Sequence, residues 1–189
     1  MEKDEIRALY KQKRKALSEA EINELSEGIR KLVHTSIDLN GKSCSIFLPI
    51  KKQNEVNTFF IIEDTGLSNT CFAVSKSDFL SGELKHFIYE DLNQLLENEF
   101  GIPEPTYGEA IYATQFDVVF VPLLAIDHSG HRVGYGKGFY DRFLSTCRTD
   151  CKFIGLTLFD EFVEIDNLSK YDIPLHKCIT PKRILSFEK

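Results

Sequence analysis

No stretch of this 189-residue chain stays apolar for long: the longest run, residues 118–126, is nine residues and contains Pro122. A bilayer-spanning helix needs about 20 apolar residues, so no membrane span is expected. Positive charge is also short, with 23 Lys and Arg against 29 Asp and Glu and a formal net charge of −6. That balance argues against nucleic acid or any general polyanion as a partner. The five cysteines (44, 71, 147, 151, 178) are odd in number and scattered. Cys147-x-x-x-Cys151 has no matching pair, and Cys178 beside His176 is outweighed as a metal hint by the ordinary reading of structural thiols. A reducing cytoplasm is the expected compartment, with no cleavable leader in the charged opening Met-Glu-Lys-Asp-Glu. Repeats, low-complexity tracts and linkers are missing as well, so one domain with one sizeable core is expected over 1–189.

What is present alternates between helix and strand patterns. Residues 2–16 read as a helix with a basic stripe at Lys3, Arg7 and Lys11 and an apolar side at Ile6, Leu9 and Tyr10. Ser18-Glu19-Ala20-Glu21 is a capping box opening a second helix that carries Ile22, Leu25, Ile29, Leu32 and Val33 at helical spacing. Strands are expected at 43–48, 70–74, 84–88, 117–121, 153–158 and 179–185, with helices at 56–64 and 138–147. Residues 117–121 are apolar on both faces, as a central parallel strand should be. Strands alternating with helices predict an α/β fold with a mostly parallel sheet.

The chemistry concentrates after that central strand. Gly134, Gly136 and Gly138 alternate with Tyr135 and Lys137, preceded by Arg132 and followed by Phe139-Tyr140-Asp141. Glycines let backbone N–H groups approach an anion closely, and a loop of this kind opening a helix makes an anion cradle. Arg132 and Lys137 add positive charge, and Asp141 is a carboxylate suited to Mg²⁺. The loop matches neither well-known phosphate signature. Gly130 is one residue too far from Gly136-Lys137 for a Walker loop, Gly138 replaces its hydroxyl residue, and the G-x-G-x-G spacing breaks the dinucleotide fingerprint. For Lys3 and Arg7 the residues alone favour a solvated helix face paired with acids such as Asp4. Phe139 and Tyr140 could stack on a ring or fill the core.

Pro122-Leu123-Leu124-Ala125-Ile126-Asp127 with Gly130-His131-Arg132-Val133-Gly134-Tyr135-Gly136-Lys137-Gly138-Phe139-Tyr140-Asp141 resembles the signature of the 5-formyltetrahydrofolate cyclo-ligase (methenyltetrahydrofolate synthetase) family. The resemblance extends to Lys3 through Arg7, Ser45-Ile46-Phe47-Leu48 with Glu55, Gly101-Ile102-Pro103-Glu104-Pro105, and Tyr171-Asp172-Ile173-Pro174. It implies a three-layer α/β/α domain similar to the sugar-phosphate isomerase and CoA-transferase-like fold. It also implies ATP-dependent closure of 5-formyltetrahydrofolate to 5,10-methenyltetrahydrofolate, with ADP and phosphate released.

By position, the resemblance implies ATP contacts at Lys3, Asp4, Glu5, Ile6 and Arg7 and at Arg132, Val133, Gly134, Tyr135, Gly136, Lys137, Gly138, Phe139 and Tyr140. Lys137 and Arg132 would carry the charge that stabilises phosphoryl transfer. Leu48, Glu55 and the stretch Tyr135 to Phe139 would meet the folate, and Asp141 and Asp172 would hold Mg²⁺. ATP is then a co-substrate, Mg²⁺ the cofactor, and the protein a cytoplasmic monomer acting on small molecules. Relatives often carry Pro-Arg where this chain has Ser75-Lys76, so an anion contact there falls to Lys76. They also often carry aspartate where His176 stands. Two other readings are a phosphate-ester isomerase of related fold and a non-catalytic folate-binding protein.

Overall fold

The computed structural model describes residues 1–187. Two helices come first, α1 (Lys3–Lys15) and α2 (Glu19–Ser36). The capping box at Ser18 is formed: Ser18 Oγ accepts from the Glu21 amide, and Glu21 accepts from the Ser18 amide at 2.8 Å. The remaining helices are α3 (Phe59–Ile62) and α4 (Phe139–Leu144). Strands follow in chain order as β1 (Ser43–Ser45), β2 (Cys71–Asp78), β3 (Glu83–Ile88), β4 (Leu95–Glu97), β5 (Pro103–Pro105) and β6 (Ala110–Ile111). The second half holds β7 (Val118–Pro122), β8 (Ala125–Ile126), β9 (Arg132–Val133), β10 (Lys152–Leu156), β11 (Lys177–Ile179) and β12 (Ile184–Ser186).

Eight strands form one sheet in the order β12-β11-β10-β7-β1-β2-β3-β6. The five central strands, β11 through β2, are parallel, and antiparallel strands cover both edges. Along β7 the side chains alternate between two cores. Val118 and Phe120 join the α2 and α3 side with Ile29, Val33 and Ile61, while Val119 and Val121 join the α4 side with Phe143 and Leu144. A strand apolar on both faces needs helices on both faces, which makes the layering α/β/α. Helix α1 lies outside those two cores. Its Ile6 and Tyr10 pack on Leu124, Ala125 and Val133 of the small β8–β9 hairpin.

Several elements differ from the sequence-based expectation. Residues 138–147 yield a helix of only six residues, Phe139–Leu144. Ser145 and Thr146 hydroxyls bond back to the Arg142 and Phe143 carbonyls at 2.6 and 2.7 Å, competing with the helical ladder. The helix expected over 56–64 shrinks to Phe59–Ile62, because the Asn57 amide bonds Ser26 Oγ and the Thr58 hydroxyl bonds the Phe47 carbonyl. The strand at 43–48 is regular only to Ser45, and the one at 70–74 continues to Asp78 against β3. Residues 179–185 contain a turn at Pro181, which has no N–H for a ladder, so β11 and β12 are two strands.

One core group tunes stability rather than function. His86 is buried, with Nε2 2.9 Å from Ser45 Oγ and its ring stacked on Phe143. Burial pushes its pKa down from 6.5 to about 4. A depressed histidine contributes stability that is full above 6.5 and lost as pH falls towards 4, up to about 3 kcal/mol. Urea denaturation of the wild type should therefore weaken more steeply across that window than in His86→Gln. Parallel slopes would mean His86 does not stay neutral in the fold.

The chain leaves β1 for β2 on one side and later returns to place β7 on the other side of β1. In open α/β sheets such a reversal opens a crevice beyond the strands' carboxyl ends, where ligands bind.

Candidate active site

A cleft of about 410 Å³ sits at that crevice. It lies beyond β1 at Phe47 and Leu48, at the end of β7 at Pro122, and along the distal half of β2 at Ser75 and Ser77. The volume lies within the usual range for small-molecule sites. Its lining mixes the glycine loop and charged side chains with apolar ones, Leu48, Phe79, Phe100 and Ile102. Phe79 packs on that loop, its ring centroid 5.1 Å from the Lys137 ammonium and 5.5 Å from that of Phe139.

Five cations line the cleft (Lys3, Arg7, Lys11, Arg132, Lys137) against three carboxylates (Glu55, Asp141, Asp172). In a chain of net charge −6 this is a local reversal of sign, suited to an anion. Lys3, Arg7 and Lys11 come from one face of α1, set by their four-residue spacing. The Lys3 ammonium pairs with Asp172. Arg7 pairs with Asp4 and donates from Nε to the Gly134 carbonyl at 2.9 Å. Lys11 lies over the Tyr135 ring, 5.6 Å from its centroid.

Gly136 and Gly138 have separate steric reasons, and Gly134 has none. Gly136 has φ +88°, and a Cβ there would meet the Arg7 guanidinium carbon at 3.1 Å. Gly138 has φ +69°, and a Cβ there would meet Arg142 Nη1 at 2.8 Å. Arg142 fastens the loop by donating to the Lys137 carbonyl at 3.0 Å and to the Gly82 carbonyl at 2.9 Å. The Lys137 ammonium has no ion pair among the described residues and lies over Phe79, 5.1 Å from the ring centroid. With α4 only six residues long, loop amides and side-chain cations outweigh any helix dipole here.

Arg132 is tied down more firmly. Its guanidinium donates to the Ile173 carbonyl at 2.7 Å and to Asp141 Oδ1 at 2.8 Å, where the Ile173 amide also donates. Asp172 accepts from Lys3 and from the Ser169 amide at 2.6 Å. Burial works to raise the Asp172 pKa, but Lys3 and the amide override it and hold the carboxyl below its ordinary value. Asp141 Oδ2 and Asp172 Oδ1 have no hydrogen bond among the described residues.

Glu55 forms the floor. It is 4% exposed and accepts from the Ile50 amide at 2.8 Å and the Tyr135 hydroxyl at 2.7 Å. Burial raises its pKa, with Arg14, Tyr135 and the Ile50 amide opposing. Burial, followed by the Glu55 charge, also pushes the Tyr135 and Tyr140 phenols upward.

The structure thus brings together on one cleft Lys3, Arg7, Leu48, Glu55, Arg132, Gly134 to Asp141 and Asp172. Ile6 and Val133 are fully buried in the α1 core, and the side chains of Asp4 and Glu5 are not among the cleft residues. Lys76 is exposed and absent from the cleft wall. Side chains alternate along β2, so Ser75 and Ser77 face the cleft instead. Cys178 is a buried thiol, and among the described residues no three His, Cys, Asp or Glu side chains gather for a metal. Sequence reasoning missed Arg14, although it extends the Lys3-Arg7-Lys11 stripe. Phe79 and Phe100 carry no local signal, since only the fold delivers them.

The model of the 5-formyltetrahydrofolate cyclo-ligase family matches residues 1–181. A Mus musculus 5-formyltetrahydrofolate cyclo-ligase is 31% identical over 150 residues, covering 75% of this chain and 73% of that protein. One from Mycolicibacterium smegmatis is 37% identical over 97 residues, and there the chain spans about half the relative's length, 47% of each. The solution structure of an Aquifex aeolicus 5,10-methenyltetrahydrofolate synthetase superimposes with a TM-score of 0.82 at 27% identity, covering 100% of this chain and 94% of that one. A family match over nearly the whole chain, in a fold that sets the signature loop on the cleft, establishes that the chain belongs to the 5-formyltetrahydrofolate cyclo-ligase family.

Proposed function

We propose that this protein catalyses ATP-dependent cyclisation of 5-formyltetrahydrofolate to 5,10-methenyltetrahydrofolate, releasing ADP and phosphate. The observation that carries the reading is a single cleft lined by two kinds of group: a glycine loop with five cations, and apolar side chains with one buried carboxylate, Glu55. The first set suits a triphosphate and the second a reduced pterin, from whose N–H edge Glu55 can accept. The alternatives of isomerase or storage protein lose ground because the family match and the relatives reported above all bear cyclo-ligase or synthetase names.

In this reaction the formyl oxygen takes the γ-phosphoryl group and N10 attacks the activated carbon. The substrate supplies both nucleophile and acceptor, so no covalent enzyme nucleophile is needed. The protein has to position the groups and neutralise charge developing on phosphoryl oxygens. Lys137, at the centre of the loop and without an ion pair among the described residues, is the side chain best placed to do so. Arg7 and Lys11 extend the positive field along α1, while Arg132 fixes Asp141 and the chain at Ile173.

Magnesium fits the donor set. Asp141 and Asp172 each line the cleft with one oxygen free of hydrogen bonds among the described residues. Mg²⁺ prefers hard oxygens and takes few from protein beside phosphate. When bound, it supplies charge neutralisation at the triphosphate. Asp141→Asn and Asp172→Asn should each raise the Mg²⁺ concentration for half-maximal rate about tenfold. Unchanged titration curves in both variants would remove these residues as ligands.

No helix among the described residues is long and apolar enough to cross a membrane. We propose that it works as a single-domain monomer in the cytoplasm, a compartment that suits its five free cysteines. The deciding experiment mixes protein, ATP, Mg²⁺ and 5-formyltetrahydrofolate and follows methenyltetrahydrofolate absorbance with ADP release. Tight folate binding without ADP release would leave only the storage reading.

A further inference from the structure

Arg14 is the least exposed arginine in the protein and lies at the last turn of α1, behind the cleft wall. One guanidinium nitrogen donates to the Leu123 carbonyl at 2.6 Å and another to the Tyr135 hydroxyl at 2.7 Å. The second nitrogen also lies 3.9 Å from Glu55 Oε1. Its own backbone carbonyl accepts from Asn54 Nδ2 at 2.8 Å, which ties the helix end to the residue preceding Glu55.

Hydrogen-bond inventory gives this chain of contacts a direction. Arginine can only donate. The Tyr135 oxygen therefore accepts from Arg14, and its single proton points to Glu55 Oε1, 2.7 Å away. The Ile50 amide occupies the other carboxylate oxygen. A carboxylate has about four acceptor sites, so two remain for a ligand in the cleft that Glu55 lines. Without a nearby cation, a carboxyl this deeply buried would take up a proton and lose acceptor capacity.

We propose that Arg14 is a positioning residue: through Tyr135 it aims Glu55 at the cleft and keeps that carboxylate ionised for the substrate. The charged and titratable groups around Glu55 are Arg14 and Lys11 from α1, Tyr135 from the glycine loop and Tyr140 from α4. The two phenols are neutral, with their pKa values raised. Lys11 lies over the Tyr135 ring and makes no ion pair with Glu55. Arg14 is thus the cation in ion-pair range of Glu55 among the described residues.

The inference rests on the reading of Glu55 as a substrate-facing group, and two readouts separate the two claims. The first is direct titration of the Glu55 side-chain carboxyl by NMR in ¹³C-glutamate-labelled protein, assigned with Glu55→Gln. In Arg14→Met the midpoint should rise by at least about one pH unit, the usual effect of removing an opposite charge at this range. Arg14→Lys should restore part of it. The second readout is the pH profile of kcat/KM for 5-formyltetrahydrofolate. Its acid limb should move upward by the same amount, while the KM for ATP stays within about twofold. A folded Arg14→Met protein whose Glu55 midpoint does not move overturns the proposal. A moved midpoint with an unmoved folate profile supports the role of Arg14 and instead removes Glu55 from substrate binding. If Arg14→Met does not fold, Tyr135→Phe carries the test. Because Tyr135→Phe leaves the Arg14 charge within 3.9 Å of Glu55, it is paired with Arg14→Gln, which removes the charge but keeps an amide donor for the Tyr135 hydroxyl. An unshifted midpoint in folded Arg14→Gln refutes the proposal equally.

Discussion

Lys137→Ala should lower kcat/KM for cyclisation by about 10²- to 10³-fold, the usual cost of removing one group that stabilises transition-state charge. Its melting temperature should hardly change. The side chain is exposed, makes no ion pair among the described residues, and rests on Phe79. A cation–π contact at such a site is worth about 0.5–1 kcal/mol, within reach of ordinary surface substitutions. The loop's shape does not depend on the ammonium, because Arg142 holds the Lys137 carbonyl and the Gly82 carbonyl. A variant as stable as wild type that keeps more than half its kcat/KM would show that phosphoryl transfer takes place elsewhere.

Arg132→Met should have the opposite signature, with stability falling as well as activity. Only 6% of the Arg132 side chain is exposed, against 27% for its partner Asp141. Truncation leaves a half-buried carboxylate without its cation and the Ile173 carbonyl without its donor. Breaking a fully buried pair costs 3–5 kcal/mol, and partial exposure of Asp141 places this case near about 3 kcal/mol. For a chain of this length that corresponds to a fall in Tm of roughly 6–12 °C. Arg132→Lys should recover little, since an ammonium lacks the planar fork that spans both acceptors. A double-mutant cycle with Asp141→Asn isolates the pair. Additive losses would mean that the two side chains do not interact in solution.

Much of this site was legible locally because its parts lie on short pieces of chain. The four-residue spacing of Lys3, Arg7 and Lys11 places them on one face of α1, and all three line the cleft. Of the glycines alternating around Tyr135 and Lys137, Gly136 and Gly138 take positive φ and sit against arginines, while a side chain at Gly134 would meet open space. Element ends were less legible. Helix α4 stops early because two hydroxyls bond back to its carbonyls, and α3 is shortened by bonds to Ser26 and Phe47. Lys76 was assigned an anion contact from its place in the chain, but strand alternation sends Ser75 and Ser77 to the cleft.

By itself the sequence determined which face of each element is apolar, which strand is buried on both sides, and which loop can close around an anion. Those properties follow from side-chain period and from glycine's freedom, both local. Only the tertiary structure decided what that loop would face. The return of β7 beside β1 opened the crevice, and the β2–β3 hairpin supplied Phe79. Packing of α1 on the β8–β9 hairpin brought Arg14 to Tyr135 and Glu55, residues 121 and 41 positions away in the chain. Contacts of that kind are fixed by topology and by the burial of faces far apart in the chain, and no window of sequence contains both partners.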